Sequence, residues 1–272
     1  MLALEARGID ASPHVWDDPA VAWDGFDLVV IRSTWDYAAR RGQFLHWAAS
    51  VPRVLNAVDV LAWNTDKRYL RELELRGIAT VPTTWISGEA EPDGVQLPDG
   101  DYVVKPVISA GARDTARYGA ADRVVATGHI ARLLHAHRDV MIQPYIESVD
   151  TRGETGLIYI DGVFSHAFRK GAILRTAGEE TAEHWAPEDI SARVPDDDER
   201  ALADAALDAV PWPRSELLYA RADVVRASDG GVRLMELELT EPSLYFRTGD
   251  GASHRLAEAI ARRCGLTTPR HL

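Results

Sequence analysis

The sequence predicts an α/β unit followed by α+β modules, and three features support this fold class. Residues 1–62 alternate helix, strand, helix and strand, which is the order of an α/β unit with parallel pairing. Residues 63–145 place helices beside short apolar strands, as in a small α+β module. Residues 146–272 hold two hairpin patterns and two helical patterns, which indicate a second and larger α+β module.

The N-terminal region 1–62 contains four predicted elements. "MLALEARGIDA" predicts a short helix closed by Gly8, and "FDLVVIRSTWDY" predicts a strand with polar groups at its C-terminal end. "FLHWAASV" and "RVLNA" predict a helix and a second strand. Because such a unit usually opens with a strand, we expect its first strand to be missing here, through an internal start site or a truncated end.

The sequence of the middle region 63–145 predicts a small α+β module. "NTDKRYLRELELRGI" predicts a helix with Asn64 or Thr65 as its N-cap and Gly77 as its C-cap. "RVVATGHIARLLHAHRD" predicts a second helix. The strand patterns are "TVPTTWI", "YVVKPV" and "VMIQPYI".

The C-terminal region 146–272 predicts two hairpins. "TGLIYIDGVFSHAFRKG" turns at Asp161-Gly162, a strong type I′ signal. Residues 171–198 are polar and acidic without a period and predict a long surface loop. "ERALADAALDAV" and "SHRLAEAIARRC" predict helices on either side of the second hairpin, "ELLYARADVVRASDGGVRLMELELTEPSLYF".

Composition and charge exclude several classes of function. The 272 residues carry a formal net charge of −12, which argues against a nucleic-acid or anionic-membrane partner because such surfaces are normally basic. Cys264 is the only cysteine, so no internal disulfide is available and a cytoplasmic location fits. The sequence has no apolar stretch near the roughly 20 residues that span a bilayer.

The second hairpin concentrates charge on one face. Side chains alternate along a strand, so Arg221 and Asp223 share a face of the first strand. Glu236 and Glu238 likewise share a face of the second strand. The opposite face of the second strand is predicted to carry Met235, Leu237 and Leu239.

Two turns are open for this hairpin. A two-residue turn at Asp229-Gly230 places Asp223 opposite Glu236, whereas a turn at Gly230-Gly231 places it opposite Glu238. Either register brings carboxylates together. Two like charges about 4 Å apart repel each other by roughly 4 kcal/mol at an effective dielectric constant of about 20. A divalent cation removes that repulsion, and oxygen ligands suit Mg²⁺ or Mn²⁺ better than Zn²⁺. The alternative is a hairpin whose charges simply face water.

Lys105 ends an apolar strand and leads into a loop of small residues. A lysine there is a compact positive charge suited to phosphate, and the segment Ser109-Ala110-Gly111 could present backbone N–H groups to phosphate oxygens. The alternative is a strand that surfaces at Lys105. The P-loop pattern G-x-x-x-x-G-K-[ST] is absent from the sequence.

Four segments in order resemble the ATP-grasp ligases, especially their glutathione-synthetase-like branch. These segments are "NTDKRYL", "YVVKPVISAGARDT", "MIQPYIE", and "RADVV" with "LMELELTEPSLYF". Four segments further resemble the cycloserine-forming O-ureido-serine cyclo-ligases, namely "IRSTWDY", "VKPVISAGARDT", "HAFRKGA" and "ELELTEPSLYF". The resemblance implies an ATP-grasp fold in which region 1–62 is the pre-grasp unit and regions 63–145 and 146–272 clasp ATP.

The resemblance also implies roles for individual residues. Lys67, Lys105 and the segment Ser109, Ala110 and Gly111 would bind the ATP phosphates, and Gln143, Tyr145 and Ile146 would bind adenine. Mg²⁺ would be held by Asp223, Glu236 and Glu238. Many family members carry Glu-x-Asn where this chain has Glu236-Leu237-Glu238, so the chain adds a negative charge. The catalytic residues would be Arg221, which steadies a phosphate, with Arg169 and Glu154, which face the substrate.

The implied reaction activates a carboxylate through an acyl-phosphate and then forms a C–N bond, intramolecularly in a cyclo-ligase. The substrate would be a small amino-acid-like carboxylate, the loop 171–198 would cover it, and the resemblance allows a homodimer. Candidate substrate contacts are Arg32, Ser33, Thr34, Asp36, Thr240 and Ser243. The alternatives are an intermolecular amino-acid or peptide ligase, an ATP-binding module without turnover, and a structural α/β protein.

Overall fold

The N-terminal region forms a small parallel sheet flanked by helices. Strand β1 (Val29–Val30) pairs in parallel with β2 (Val54–Leu55), and helix α1 (Leu2–Glu5) precedes them while α2 (Arg41–Ser50) connects them. The predicted element order and parallel pairing are confirmed. The missing first strand and the region boundaries stay predictions. The computed structural model describes residues 1–91, 95–174 and 188–266.

The predicted helix beginning at Asn64 is two helices. Helix α3 (Val58–Asn64) ends where α4 was expected to begin, and α4 (Tyr69–Leu75) follows it. The predicted N-cap role of Asn64 and Thr65 is therefore wrong. The Asn64 amide instead donates to the backbone oxygen of Leu237 at 2.7 Å and accepts from the backbone nitrogen of Leu239 at 2.7 Å. These bonds connect α3 to the second predicted hairpin, which carries Arg221, Asp223, Glu236 and Glu238.

The middle region is a four-stranded antiparallel sheet covered by one helix. Its strand order is β3-β6-β4-β5, and β5 lies in a segment for which no element was predicted. Along β4, Tyr102 and Val104 are buried in the module's core while Val103 and Lys105 lie on the other face. The elements are β3 (Thr84–Ile86), β4 (Tyr102–Pro106), β5 (Ala116–Tyr118), α5 (Arg123–His135) and β6 (Val140–Pro144).

The C-terminal region is a five-stranded antiparallel sheet in the order β11-β10-β7-β8-β9. Strand β9 lies inside the predicted loop 171–198, so that prediction is wrong there, and residues 175–187 of it lie outside the described residues. The elements are α6 (Ser148–Arg152), β7 (Glu154–Ile160), β8 (Val163–Lys170), β9 (Ile190–Arg193), α7 (Asp197–Asp208), β10 (Tyr219–Arg226), β11 (Val232–Glu238) and α8 (Ala252–Arg263).

The first hairpin turn has the predicted type. Asp161 and Gly162 have φ values of 53° and 75°, and a type I′ turn requires positive φ at both central residues. A Cβ at Gly162 would lie 2.6 Å from the backbone oxygen of Arg214, so glycine is required there for space as well.

The second hairpin turn differs from both predicted forms. Arg226 pairs with Val232, and the backbone nitrogen of Ala227 donates to the oxygen of Gly231 at 2.8 Å. Three residues therefore form the loop, with Gly230 at φ 81°. A three-residue loop that ends in a left-handed residue is a common hairpin connection.

A β-bulge next to this turn determines which side chains face the site. Val224 pairs with Leu234, but the next residue, Asp223, pairs with Glu236, so Met235 is the extra residue of β11. Without the bulge, Asp223 would oppose Met235 and Glu236 would lie on the other face. The predicted pairing of Asp223 with Glu236 is confirmed, although the bulge produces it and a two-residue turn does not.

Buried polar contacts attach the N-terminal sheet to the five-stranded sheet. The Asn56 amide donates to the backbone oxygens of Tyr219 and Leu239 at 3.0 and 2.6 Å and accepts from the backbone nitrogen of Leu218 at 2.7 Å. The Tyr219 hydroxyl donates to the oxygen of Ile31 at 2.7 Å. These bonds satisfy buried backbone groups, so the loop after β1 lies beside the end of β11. Over the described residues, no helix is long and apolar enough to cross a membrane.

Candidate active site between the two larger sheets

A cleft of about 430 Å³ opens between the four-stranded and five-stranded sheets and the loop after β1. Its volume lies in the range of sites for small ligands. Many of the predicted site residues line it together: Ser33, Asp36, Lys67, Lys105, Ser109, Ala110, Gly111, Gln143, Tyr145, Ile146, Glu154, Arg221, Asp223, Glu236, Glu238 and Ser243.

The charged face of the second hairpin forms one wall of the cleft. Arg221 is directly opposite Glu238, as Asp223 is opposite Glu236. The Arg221 guanidinium donates to both carboxylate oxygens of Asp223, at 2.8 Å from Nε and 2.7 Å from Nη2. It also donates to Glu238 and, at 3.3 Å, to the backbone oxygen of Ser243. Arg221 and Asp223 are thus a buried pair that positions the more exposed Glu238.

The two predicted lysines meet this wall from the other side. Lys67 Nζ lies 2.8 Å from Glu236 Oε1 and donates to the backbone oxygen of Ser109 at 3.0 Å. Lys105 lies on the cleft-facing side of β4. Burial lowers the pKa of Lys105 to about 8. The positive charge of Lys67 also lowers this pKa, whereas the negative charge of Glu236 raises it. The cleft therefore concentrates positive charge where a phosphate group could neutralise it.

The two cleft glutamates differ in their electrostatic environment. Burial raises the pKa of both, but Lys67 and Lys105 outweigh it at Glu236 and lower that pKa to about 2. For Glu238, burial outweighs Arg221 and, with Glu236 and Asp223 acting in the same direction, raises the pKa to about 7. Glu236 is thus ionised at neutral pH, while Glu238 is poised to lose a proton when a cation arrives.

The donor set fits Mg²⁺ held jointly with phosphate. Glu236 and Glu238 keep side-chain exposures of 27% and 26% and offer only oxygen atoms. Mg²⁺ is usually bound through one or two carboxylates plus substrate phosphates, with waters completing the octahedron. The Asp223 carboxylate is occupied by Arg221, and across residues 1–91, 95–174 and 188–266 no three His, Cys, Asp or Glu side chains form a ready metal site. We therefore expect metal to bind together with a phosphate ligand.

The other end of the cleft is apolar. Val81, Val103, Ile146 and Met235 line it, and the bulge places Met235 there, contrary to its predicted position beside Leu237 and Leu239. Such a surface suits a flat aromatic base.

Two predicted adenine contacts, Gln143 and Tyr145, are already held in place at this end of the cleft. The Gln143 side chain donates to Thr83 Oγ1 at 2.9 Å, and the Tyr145 ring lies 3.6 Å from the Arg117 guanidinium carbon.

Arg169 is not where the resemblance suggested. Its Nη1 lies 3.0 Å from Asp189 Oδ2 and its Nε donates to the backbone oxygen of Arg152, away from the cleft. The next residue, Lys170, lines the cleft and lies 3.4 Å from Glu154 Oε2. Alternation along β8 explains the difference, because adjacent side chains point to opposite faces. Glu154 lies in the predicted place, and its cationic partner is Lys170.

Three of the predicted substrate contacts support the site without lining it. Arg32 donates to the backbone oxygen of Pro242 at 2.6 Å, and Thr240 Oγ1 donates to Asn64 Oδ1 at 3.1 Å. Thr34 lies in the loop after β1 and does not line the cleft either. Arg32 and Thr240 thus connect the end of β11 to its neighbours, whereas the buried Thr34 hydroxyl has no hydrogen-bond partner among the described residues.

Sequence reasoning missed Glu241 and Lys170 as site residues. Glu241 is only 7% exposed, and burial, with Glu238 adding to it, raises its pKa to about 8. Glu241 lies three residues beyond the paired strand, where alternation no longer predicts a direction. Only its position within a polar run, "ELTEPS", could have marked it.

The lowered pKa of Lys105 predicts a pH dependence of ATP binding. Bound phosphate favours the charged lysine, so affinity should fall as pH rises through about 8, on the order of tenfold between about pH 7 and 9. Lys105→Arg keeps its charge and should flatten this dependence, since the guanidinium stays protonated. Isothermal calorimetry of Mg-ATP binding across that range tests both proteins. An equal pH dependence in both would contradict the assignment.

Known proteins share this fold and much of this sequence. Residues 1–56 match the family described as the N-terminal domain of the D-cycloserine synthetase DcsG. The cycloserine biosynthesis protein DcsG of Streptomyces lavendulae is 37% identical over 278 residues, covering 96% of this chain and 91% of that protein. The crystal structure of D-cycloserine synthetase DcsG superposes with a TM-score of 0.85 at 35% identity, over 97% of this chain and 92% of that one.

A more distant structure shares the fold. The ATP-grasp ligase PsnB, complexed with its minimal precursor, Mg and ADP, matches with a TM-score of 0.59 at 20% identity over 97% of this chain and 92% of that one. The predicted ATP-grasp fold is confirmed. On this fold and on the 37% identity over nearly the whole chain, the protein is an ATP-dependent ligase and belongs to the DcsG family of ATP-grasp enzymes.

Proposed function

We propose that this protein uses ATP to activate the carboxylate of an O-ureido-serine-like amino acid and closes its ring to cycloserine. One observation carries the proposal: two lysines, one arginine and two partly exposed glutamates from distant segments converge on one cleft with an apolar end. The likeness to DcsG over 96% of the chain supports the substrate class.

ATP would lie with its base at the apolar end and its phosphates between the lysines. Lys67 and Lys105 would bind the phosphates from one side, and the loop containing Ser109 and Gly111 would approach them with its backbone. Glu236 and Glu238 would hold Mg²⁺, whose charge would neutralise the phosphates. Arg221 lies on the same wall, where its charge would stabilise the transferring phosphoryl group.

The proposed reaction has two steps, activation of the carboxylate and then ring closure. A carboxylate oxygen bonds to the γ-phosphorus, ADP leaves, and the substrate nitrogen bonded to oxygen then attacks the acyl-phosphate carbon and expels phosphate. The ring nitrogen still carries the carbamoyl group, which water removes as carbon dioxide and ammonia. Ring closure is favoured because both reacting groups belong to one molecule, so no second reactant has to be bound and oriented.

The test is an enzyme-coupled assay of ADP release with each enantiomer of O-ureido-serine, together with mass spectrometry of the product. We expect ADP, phosphate and cycloserine in equal amounts, dependent on Mg²⁺. ADP release only when a second amine is supplied would instead support an intermolecular amino-acid or peptide ligase. Mg-ATP binding without ADP formation from any carboxylate would support a non-catalytic ATP-binding module.

Other aspects of the function stay predictions. They are a cytoplasmic location, a small amino-acid-like carboxylate as substrate without a nucleic-acid or membrane partner, use of Mn²⁺ in place of Mg²⁺, and a homodimer. The predicted cover, loop 171–198, falls partly outside the described residues, as stated above.

A further inference from the structure

We propose that Glu241 and Tyr37 form a seat for the α-ammonium group of the substrate and so select amino acids over other carboxylates. The inference deepens the proposed function and rests on it. Both side chains line the cleft and both are more than nine-tenths buried, with exposures of 7% for Glu241 and 5% for Tyr37.

The carboxylate of Glu241 has no partner within the part of the chain that the structure describes. It has neither a hydrogen bond nor an ion pair there. The nearby cations make no ion pair with it, although their charges oppose the effect of burial on its pKa: Lys67 is paired with Glu236 at 2.8 Å, and Arg32 donates to the oxygen of Pro242 at 2.6 Å. A buried carboxylate without an ion-pair partner is costly, so a cationic group of a ligand would stabilise its charged form.

The hydroxyl of Tyr37 is in a similar state. Among the described residues it has no hydrogen-bond partner, although the ring packs against Phe44 in the N-terminal core at 5.3 Å between centroids. Tyr37 and Glu241 lie within electrostatic range of each other. An ammonium group carries three donors, which could satisfy a carboxylate and a phenol oxygen together.

The position of the seat matches the geometry of an α-amino acid. Glu241 follows Glu238 by three residues and lies within electrostatic range of Glu238, Lys67 and Glu236, where the carboxylate would be activated. The α-ammonium nitrogen of an amino acid is two bonds from its carboxyl carbon. A group that binds the ammonium therefore also orients the carboxylate toward the phosphate-binding end.

The test compares each ligand with its partner that carries hydroxyl in place of the α-amino group. O-ureido-serine and its hydroxy analogue are compared by kcat/KM, and serine and glycerate by calorimetry. We expect wild-type protein to prefer the amino compound by roughly 10- to 100-fold, as for charge-assisted hydrogen bonds. In Glu241→Gln the preference should fall to near unity, and in Tyr37→Phe it should fall by about 2- to 10-fold.

Control proteins separate the seat from a structural role. Glu258→Gln removes an equal charge from helix α8 and should keep the wild-type preference. Glu241→Gln should melt at the wild-type temperature or higher, because it removes a buried unpaired carboxylate. Equal losses for amino and hydroxy compounds in Glu241→Gln, which a proton-accepting role would produce, would overturn the seat.

Failure of the proposed function gives a different result. ADP release is measured in parallel with a panel of carboxylates. Release only with carboxylates that lack an ammonium group would overturn the seat and leave the ligase assignment standing. If no carboxylate gives ADP, the proposed function fails, while calorimetry still decides the seat: absence of any preference for serine over glycerate overturns it.

Discussion

Glu236→Gln should lower kcat/KM for ADP release by on the order of 10³, because one carboxylate serves two purposes. It is paired with Lys67 at 2.8 Å, and it is a candidate Mg²⁺ ligand opposite Asp223. Its pKa of about 2 keeps it ionised at neutral pH, so the neutral amide loses both the charge and a metal-binding oxygen. Loss of one preorganised electrostatic group typically costs 10²–10³ in rate, and weaker metal binding adds to it.

The measurement follows ADP release as a function of Mg²⁺ concentration. We expect the half-saturating Mg²⁺ concentration of Glu236→Gln to rise together with the fall in rate. Glu147→Gln is the matched control, since Glu147 is exposed and lies outside the cleft lining. Unchanged turnover and metal dependence in a folded Glu236→Gln protein would contradict the site.

Arg221→Met should lower the free energy of unfolding by about 3–5 kcal/mol, which is the usual cost of removing one member of a buried ion pair. Arg221 and Asp223 have side-chain exposures of 6% and 5%, and Glu238 accepts from the same guanidinium. Without Arg221, Asp223 and Glu238 lose the guanidinium that both of them accept from. A loss of this size should lower the melting temperature by roughly 10 °C.

The pH dependence of this loss follows from Glu238. Burial already raises its pKa to about 7 against the opposing charge of Arg221, so removal of Arg221 raises that pKa further and Glu238 destabilises the fold more as pH rises. The deficit of Arg221→Met should therefore shrink toward about pH 4 and grow toward pH 8, as thermal melts across that range would detect.

A double variant checks the origin of the effect. Arg221→Met with Asp223→Asn should recover part of the stability, because it removes the uncompensated charge. Equal melting temperatures of the single variant and wild type, or additive losses in the double variant, would show that the pair is not the source. Turnover should be lost in both variants.

Local patterns predicted most elements, because they depend on neighbours in sequence. The Asp161-Gly162 turn follows from the two positive φ values that these residues tolerate. Helices α2, α5, α7 and α8 were likewise predicted from their own segments. Strand β5 and β9 were missed because their pairing partners, not their own residues, define them.

The candidate site was predicted in part for the same reason. Lys67, Lys105, Asp223 and Glu236 were found because they stand at strand ends or alternate along strands, or because the family resemblance marked them. Arg169 was assigned by resemblance alone, and its neighbour Lys170 faces the cleft instead. A match between two sequence segments does not show which of two adjacent strand residues faces the cleft.

The sequence by itself determined the order of most elements, the acidic hairpin and the type of charge on each wall of the cleft. Tertiary structure decided which of these charges meet. A single extra residue, Met235, turns Glu236 toward Asp223, and packing of the loop after β1 against the end of β11 buries Glu241 without an ion-pair partner among the described residues. Such outcomes depend on register and on contacts between distant segments, where a shift of one residue reverses the face of every side chain beyond it.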